Sequence, residues 1–393
     1  MKYNFDEIVD RHHTEALKIE ALKSRWGRED LIPLWVADMD FKTPPFIMEM
    51  IRKRCEHEIL GYTVKPDEYY KAICNWLKKR YNWNISAQWI SFCPGIVPGI
   101  TFAIQSLTQP GDKILIQPPV YHPFKWIIEQ NNRTAVSNPL ILENGQYKMN
   151  VDHFRKAVKN CKLFILCNPH NPGGRVWSKE ELEIIADICY ENKTIVISDE
   201  IHADLTLPSY KHTPFAKVCE KAQTNSVIFM APSKAFNTAG LSSSYCIIEN
   251  ENIRQKFRRY IEGGELGEGH LFAYIPVVSA YNEQGEEWLN QVLEYIHSNV
   301  EFIDNYLQKN MPHIKAIRPQ ASFLIFLDCR ELHLSQDKLV DFFVDKAHLA
   351  LNDGSMFGKE GIGFMRLNIG CPKKTLEQAM SQLKTAYDNL HNV

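Results

Sequence analysis

The sequence predicts an α/β protein built on a mostly parallel sheet, with a second, smaller α/β unit beside it. Three observations carry this. Between about 90 and 250, short apolar runs alternate with amphipathic stretches. The runs KILIQPP, LFILCNP, TIVISDE, SVIFMAPSK and SYCIIE are rich in β-branched residues and show no in/out alternation, as expected of strands buried on both faces. After 250 the texture changes to one long amphipathic stretch, 282 to 310, followed by the strand runs SFLIFLD and FMRLNIG.

Taken in order, the elements support that architecture. SKEELEIIADICYEN reads as a helix between two strands, with Ser178 as N-cap and Glu181 three positions on, a capping-box pattern. Strands alternating with such helices imply a parallel sheet covered on both sides. At 393 residues the chain exceeds one small core. A large domain is expected over 46 to 284. Residues 1 to 45 are expected to join 285 to 393 in the smaller domain, since neither piece alone offers much core.

Composition narrows the partners. Lys+Arg 45 against Asp+Glu 47 leaves a net charge of -2, so no broad field draws the chain to nucleic acid or anionic membrane. The N-terminus is charged from its start, and no apolar run approaches the roughly 18 residues of a membrane span. A cytoplasmic protein is expected. The ten cysteines form no CxxC pair and are read as reduced and structural. His12 and His13 are adjacent and point to different faces, so no metal site is expected.

The chemistry gathers at strand ends. NPHNPGG follows LFIL, DEIHADL follows TIVIS, and Ser233-Lys234 follows SVIFMAP; in an open parallel sheet, ligands sit at those carboxyl ends. Together they suit a cofactor held on a lysine amine with a carboxylate on its ring nitrogen. Lys234 supplies the amine, Asp199 the carboxylate, and Asn171 a hydrogen bond to the ring's phenolic oxygen. Asp199 can also be read as a helix cap, and Asn171 as a turn residue. FCPGIVPGI puts Gly95, Ile96 and Val97 at the start of a helix, where N–H groups and the helix dipole favour a phosphate, and the Ser233 hydroxyl can reach the same group. Tyr121 in QPPVYHPF can stack on a flat ring or simply pack. Arg366 is a lone charge inside the apolar run FMRLNIG. Such a burial calls for an anion, and a guanidinium fork suits an amino-acid carboxylate.

LWVADMDF, the GYT around Tyr62, PGIVPG, QPPVYHPF, NPHNPGGRVW, SDEIHADL, SKAFNTAGL, GEEWL and RLNIG follow one another in the order of a known family. The chain resembles the fold-type I pyridoxal-phosphate enzymes of the class I/II aminotransferase superfamily, and within them the MalY/PatB cystathionine β-lyase group. The resemblance implies a seven-stranded, mostly parallel sheet in the large domain. It implies pyridoxal 5'-phosphate as cofactor, Lys234 as its covalent anchor and general base, and Asp199, Asn171 and Tyr121 in the roles above. Ile201 is expected on the opposite ring face and Arg366 on the substrate carboxylate. Tyr62 matches a tyrosine that binds cofactor and substrate in the neighbouring subunit, implying a homodimer with shared active sites. The implied reaction is β-elimination from L-cystathionine or a related L-cysteine S-conjugate, giving a thiol, pyruvate and ammonia; Lys234 or Tyr121 protonates the sulfur.

Departures set the alternatives. Related aminotransferases often carry arginine where Ser242 follows Gly240-Leu241, and a tyrosine on the ring oxygen where His202 stands; both positions resemble the lyases. Ala231 replaces a frequent phosphate-binding serine, so the cradle leans on backbone amides. TEALKIE departs from the NSVKWD-like phrase that shapes the substrate entrance in the lyase group. An aminotransferase of L-amino acids is the alternative on the same scaffold, and a regulatory or binding protein the alternative of another class.

Overall fold

The apolar runs pair into one seven-stranded sheet in the computed structural model, which describes residues 2–391. In chain order the strands are β1 (Ile90–Cys93), β2 (Lys113–Ile116), β3 (Thr134–Ser137), β4 (Cys161–Cys167), β5 (Ile195–Asp199), β6 (Ser226–Met230) and β7 (Ser244–Ile247). Their spatial order is β1-β7-β6-β5-β4-β2-β3. Strands β2 to β6 pair in parallel, while β7 runs antiparallel to both its neighbours. The reversal has a local cause. Parallel return needs a long crossover, usually a helix, and the connection 231–243 holds only turns and a single 3-10 turn. Strands β1, β6 and β7 are buried throughout, which is why their sequences lack alternation.

Two helices show how local sequence sets the packing. Helix α1 (Ile96–Leu107) leaves the end of β1 and presses on β6: a Cβ at Gly99 would lie 2.5 Å from the Phe229 ring, so only glycine allows that approach. Helix α2 (Lys179–Glu191) carries the expected capping box. The Ser178 hydroxyl accepts from the Glu181 N–H at 3.2 Å, and the Glu181 carboxylate accepts from the Ser178 N–H at 2.8 Å.

The C-terminal third is a separate layer. Helix α3 (Glu283–Asn310) buries Trp288, Val292, Ile296, Val300, Ile303 and Leu307 at helical spacing. Beside it lies an antiparallel sheet of β8 (Lys315–Ile317), β9 (Leu324–Asp328), β10 (Asn352–Asp353) and β11 (Phe364–Asn368), ordered β8-β9-β11-β10. Helix α4 (Lys373–His391) packs on α3. The N-terminal segment joins this layer, with Ile32–Pro33 pairing in parallel with Leu349–Ala350 and the Asn368 N–H donating to Leu34 O at 3.0 Å. Among the described residues no helix is long and apolar enough to cross a membrane.

Candidate active site

Strand directions decide where the polar residues meet. β1, β2, β4, β5 and β6 end, and reversed β7 begins, on one edge of the sheet, where a cavity of about 230 Å³ opens. Each strand contributes a wall: Gly95, Ile96 and Val97 after β1, Tyr121 after β2, Asn171 after β4, Asp199, Ile201 and His202 at β5, Ser233 and Lys234 after β6, and Ser242 and Ser243 before β7. Of the residues expected from sequence, only Arg366 and Tyr62 are missing from these walls. Arg366 lies one contact away. Tyr62 stands fully exposed in the irregular stretch 56–66, and within one chain it does not line this cavity.

Part of the cavity lining suits a dianion. Gly95, at φ +146°, turns the chain from β1 into α1, whose first-turn N–H groups the helix itself does not use. The Ser243 hydroxyl is buried and has no partner, and Ser233 and Ser242 line the same cavity. A buried hydroxyl left unpaired is costly unless a ligand satisfies it.

In the same cavity Asp199 is buried, and its carboxylate accepts a single hydrogen bond, from the Ile201 N–H at 3.1 Å. Burial raises this carboxyl to about 7, and no ion pair is made to it among the described residues. A protonated ring nitrogen is the kind of cation this site lacks. Asn171 gives its side-chain oxygen to Arg366 at 3.0 Å, leaving its N–H₂ free to donate to a ring oxygen. His202 is buried, has an unpartnered Nδ1, and is lowered by burial to about 3, so it is neutral. The residues therefore fit pyridoxal phosphate in charge and in unsatisfied hydrogen-bonding groups.

Lys234 follows β6 in a tight turn, with Phe236 N–H bonded to Pro232 O and Thr238 N–H to Ser233 O, each at 2.9 Å. Its flanks Ala235 and Phe236 are fully buried, which fixes the stem. The amine donates to Ala37 O at 2.6 Å. Burial lowers it to about 8, against the upward pull of Asp38 and Asp199. An amine so placed can act as nucleophile and base near neutral pH.

Arg366 extends from the middle of β11 and is buried. Its Nη2 donates to Asn352 Oδ1 at 2.6 Å and to Trp35 O at 3.2 Å; its Nε has no partner, and its guanidinium stands 4.9 Å over the Phe357 ring. Every acceptor it meets is neutral. A buried guanidinium without an anion is an open half of an ion pair.

Comparison with known proteins decides the family. The model for class I and II aminotransferases matches residues 29–383. The chain belongs to that family. Within it, the chain is 38% identical to cystathionine β-lyase PatB of Bacillus subtilis, over 98% of this chain and 99% of the relative. A pyridoxal-phosphate-bound protein of Clostridium difficile, provisionally named an aminotransferase, superposes with a TM-score of 0.96 at 42% identity, covering 98% and 100% of the two chains. The pyridoxal-phosphate-bound C–S lyase of Staphylococcus hominis gives 0.91 at 36%, covering 98% of each.

Within this family fold, sequence reading missed several contributors. Ala37 acts through a carbonyl, which every residue has. Ser243, beside the noticed Ser242, owes its importance to an absent partner. Asn352 and Trp35 are distant in sequence from the arginine they hold. One signal was available: in LWVADMDF two aspartates sit two apart in an apolar phrase, on one face of an extended chain.

Proposed function

We propose that this family member is a pyridoxal-phosphate-dependent carbon–sulfur β-lyase, converting L-cystathionine or a related L-cysteine S-conjugate and water into a thiol, pyruvate and ammonia. One observation carries the reading. A buried amine of lowered pKa, Lys234, lines the same cavity as the unpaired carboxylate of Asp199, in a chain whose near-full-length relatives include cystathionine β-lyase and C–S lyase.

When bound, the cofactor supplies an electron sink conjugated to the substrate's Cα. Asp199 would hold the proton of the ring nitrogen, and that cation would bring the carboxyl's pKa back down. Asn171 would donate to the ring oxygen, and Tyr121 and Ile201, which line the same cavity, would pack against the ring. Arg366 takes the substrate carboxylate on its fork, completing its own ion pair and fixing the molecule about Cα. Lys234 removes the Cα proton; the C–H pair is released, the Cβ–S bond breaks, and its electrons leave on sulfur. The proton for that sulfur comes from the Lys234 ammonium or the Tyr121 hydroxyl, whose pKa burial raises, so it remains a protonated donor. Hydrolysis of the remaining three-carbon fragment yields pyruvate and ammonia.

The second copy enters through the stretch 56–66. Ile59 and Leu60 are each 69% exposed, Val64 is 80% exposed, and Tyr62 is fully exposed, an apolar run that one chain leaves uncovered. We infer that it docks on a second copy and delivers Tyr62 to that copy's cavity. We infer a cytoplasmic location, which the ten free cysteines support because they suit a reducing compartment.

Purified protein given cystathionine is expected to release pyruvate and a free thiol with no 2-oxo acid present. A requirement for a 2-oxo acid, with no pyruvate formed, overturns the lyase reading in favour of the aminotransferase. Tyr62→Ala should lose activity at unchanged melting temperature, and the native protein should elute as a dimer.

A further inference from the structure

Two stretches take no part in the chemistry above, TEALKIE near the N-terminus and the loop 35–41 in LWVADMDF, yet the fold ties both to Lys234. The loop runs between β11 and the Lys234 turn and is held from both sides. From β11, Arg366 donates to Trp35 O at 3.2 Å, and Asn368 Nδ2 donates to Val36 O at 2.5 Å and Asp38 O at 2.7 Å. From the other side Asn237, three residues after Lys234, accepts from Met39 N–H at 3.0 Å and donates to Met39 O at 2.9 Å. Between these clamps Ala37 O receives the Lys234 amine.

Beneath the loop lies a four-membered charge cluster. Arg11 donates to Asp38 and to Asp40, at 2.7 Å each. Lys18, the lysine of TEALKIE, has a fully buried side chain and reaches Asp40 at 2.8 Å and Asp38 at 3.5 Å. Two cations balance two carboxylates. Asp38 is mostly buried, which pushes its pKa up, but Arg11 and Lys18 prevail and keep it ionised. The other charges facing Lys234 are Asp199 from β5, which favours the ammonium, and Arg366 from β11, which opposes it; Asp38 outweighs Asp199. A mere tether would need only the Ala37 carbonyl. A carboxylate one residue further on, poised between two cations, adds a field.

We propose that Asp38, balanced by Arg11 and Lys18, is a positioning residue that sets where the Lys234 nitrogen sits and how readily it gives up its proton. This rests on Lys234 being the cofactor lysine. The cluster tunes the lysine from outside the cavity. A lone carboxylate next to the residue that receives the amine would favour the ammonium, and the two cations moderate it.

The test uses the cofactor-loaded protein and reads its visible absorbance against pH, which titrates the nitrogen joining Lys234 to the cofactor. Asp38→Asn keeps the shape and removes the charge, so the midpoint should fall by about one pH unit. Arg11→Met leaves Asp38 less balanced, so the midpoint should rise, by about half as much. Asp38→Glu should return it to within about 0.3 units of the natural protein. Opposite shifts with that rescue support the proposal. Unmoved midpoints, or shifts of one sign in both variants, overturn it even if melting temperatures drop, since a purely structural cluster would lower stability alone. If Asp38→Asn does not accumulate folded, Arg11→Met decides by its sign. A natural protein with no visible band would instead sink the cofactor reading and leave the cluster a stability device.

Discussion

Asp199 and Glu200 are consecutive, both are buried, and their surroundings are opposite. Asp199 is the last residue of β5 and Glu200 the first beyond it, and their side chains find different partners. Glu200 meets His212 Nε2 at 2.7 Å, the Ser198 hydroxyl at 2.8 Å and the Phe215 N–H at 2.8 Å. Asp199 meets one backbone N–H. The same contrast separates two buried cations: Lys18 is paired with Asp40 and Asp38, whereas Arg366 touches only neutral acceptors. In these two pairs the members that serve the fold, Glu200 and Lys18, meet ionisable partners. Asp199 and Arg366 meet none, and both stand at the strand-end cavity or one contact from it.

The sharpest break of this contrast exchanges the two acids for amides. Asp199→Asn should lower turnover by about 10³-fold or more, because an amide cannot hold the ring-nitrogen proton. It should leave the cofactor-free protein as stable as before, or slightly more so, since it removes a buried unpaired carboxylate. Glu200→Gln should do the reverse, costing about 3 kcal/mol of stability while the surviving folded fraction keeps most of its activity. Steady-state kinetics beside urea unfolding read both. Equal stability losses in the two variants would erase the distinction.

The two cations give the next largest effect. Arg366→Lys should raise KM for the amino-acid substrate about ten- to a hundredfold, because a single ammonium cannot replace the fork. Lys18→Met should instead unfold the protein more easily, by about 3 kcal/mol, since it strands Asp40 beside Arg11 alone. The KM effect should persist at saturating cofactor.

Acidity offers a finer test. Asp199 folds with its pKa raised to about 7, so between about 4 and 7 the cofactor-free native state binds a proton that the unfolded chain has released. Its contribution is therefore present at low pH and is lost as pH rises through 7. His122, His170 and His202, lowered by burial to about 4, about 4 and about 3, act in the opposite sense by destabilising the fold as pH falls below their ordinary value. The raw stability curve mixes these. The difference between the natural protein and Asp199→Asn isolates the acid, and should decline as pH rises from about 4 to about 7 by a few kcal/mol at most.

What could be read from the sequence obeys the same division. The strand runs, the Ser178–Glu181 capping box and the long helix before 310 are local patterns, and each is observed. The strand-end residues Asn171, Asp199 and Lys234 could be read because topology brings the ends of neighbouring parallel strands together. The reversal of β7 was not legible, since an apolar run looks the same in either direction. Nor was the Ala37–Lys234 contact, which joins residues 197 apart through a carbonyl that carries no side-chain identity. TEALKIE departs from the lyase-group phrase, and the fold buries its Lys18 side chain beneath the loop that holds the Lys234 amine.

Ser243 gives the smallest expected effect and tests the principle most directly. Its hydroxyl is buried without a partner, so Ser243→Ala in the cofactor-free protein removes an unsatisfied group and should be neutral or slightly stabilising. If the hydroxyl donates to the phosphate, the same substitution in the loaded protein should weaken cofactor binding about fivefold, roughly 1 kcal/mol. The sign therefore changes between the two states. Thermal melts with and without pyridoxal phosphate, set beside a titration of cofactor affinity, read it. A variant equally destabilised in both states would mean that the hydroxyl belongs to the fold, as Glu200 does, and that the phosphate is held by the N–H groups of α1 and the remaining serines.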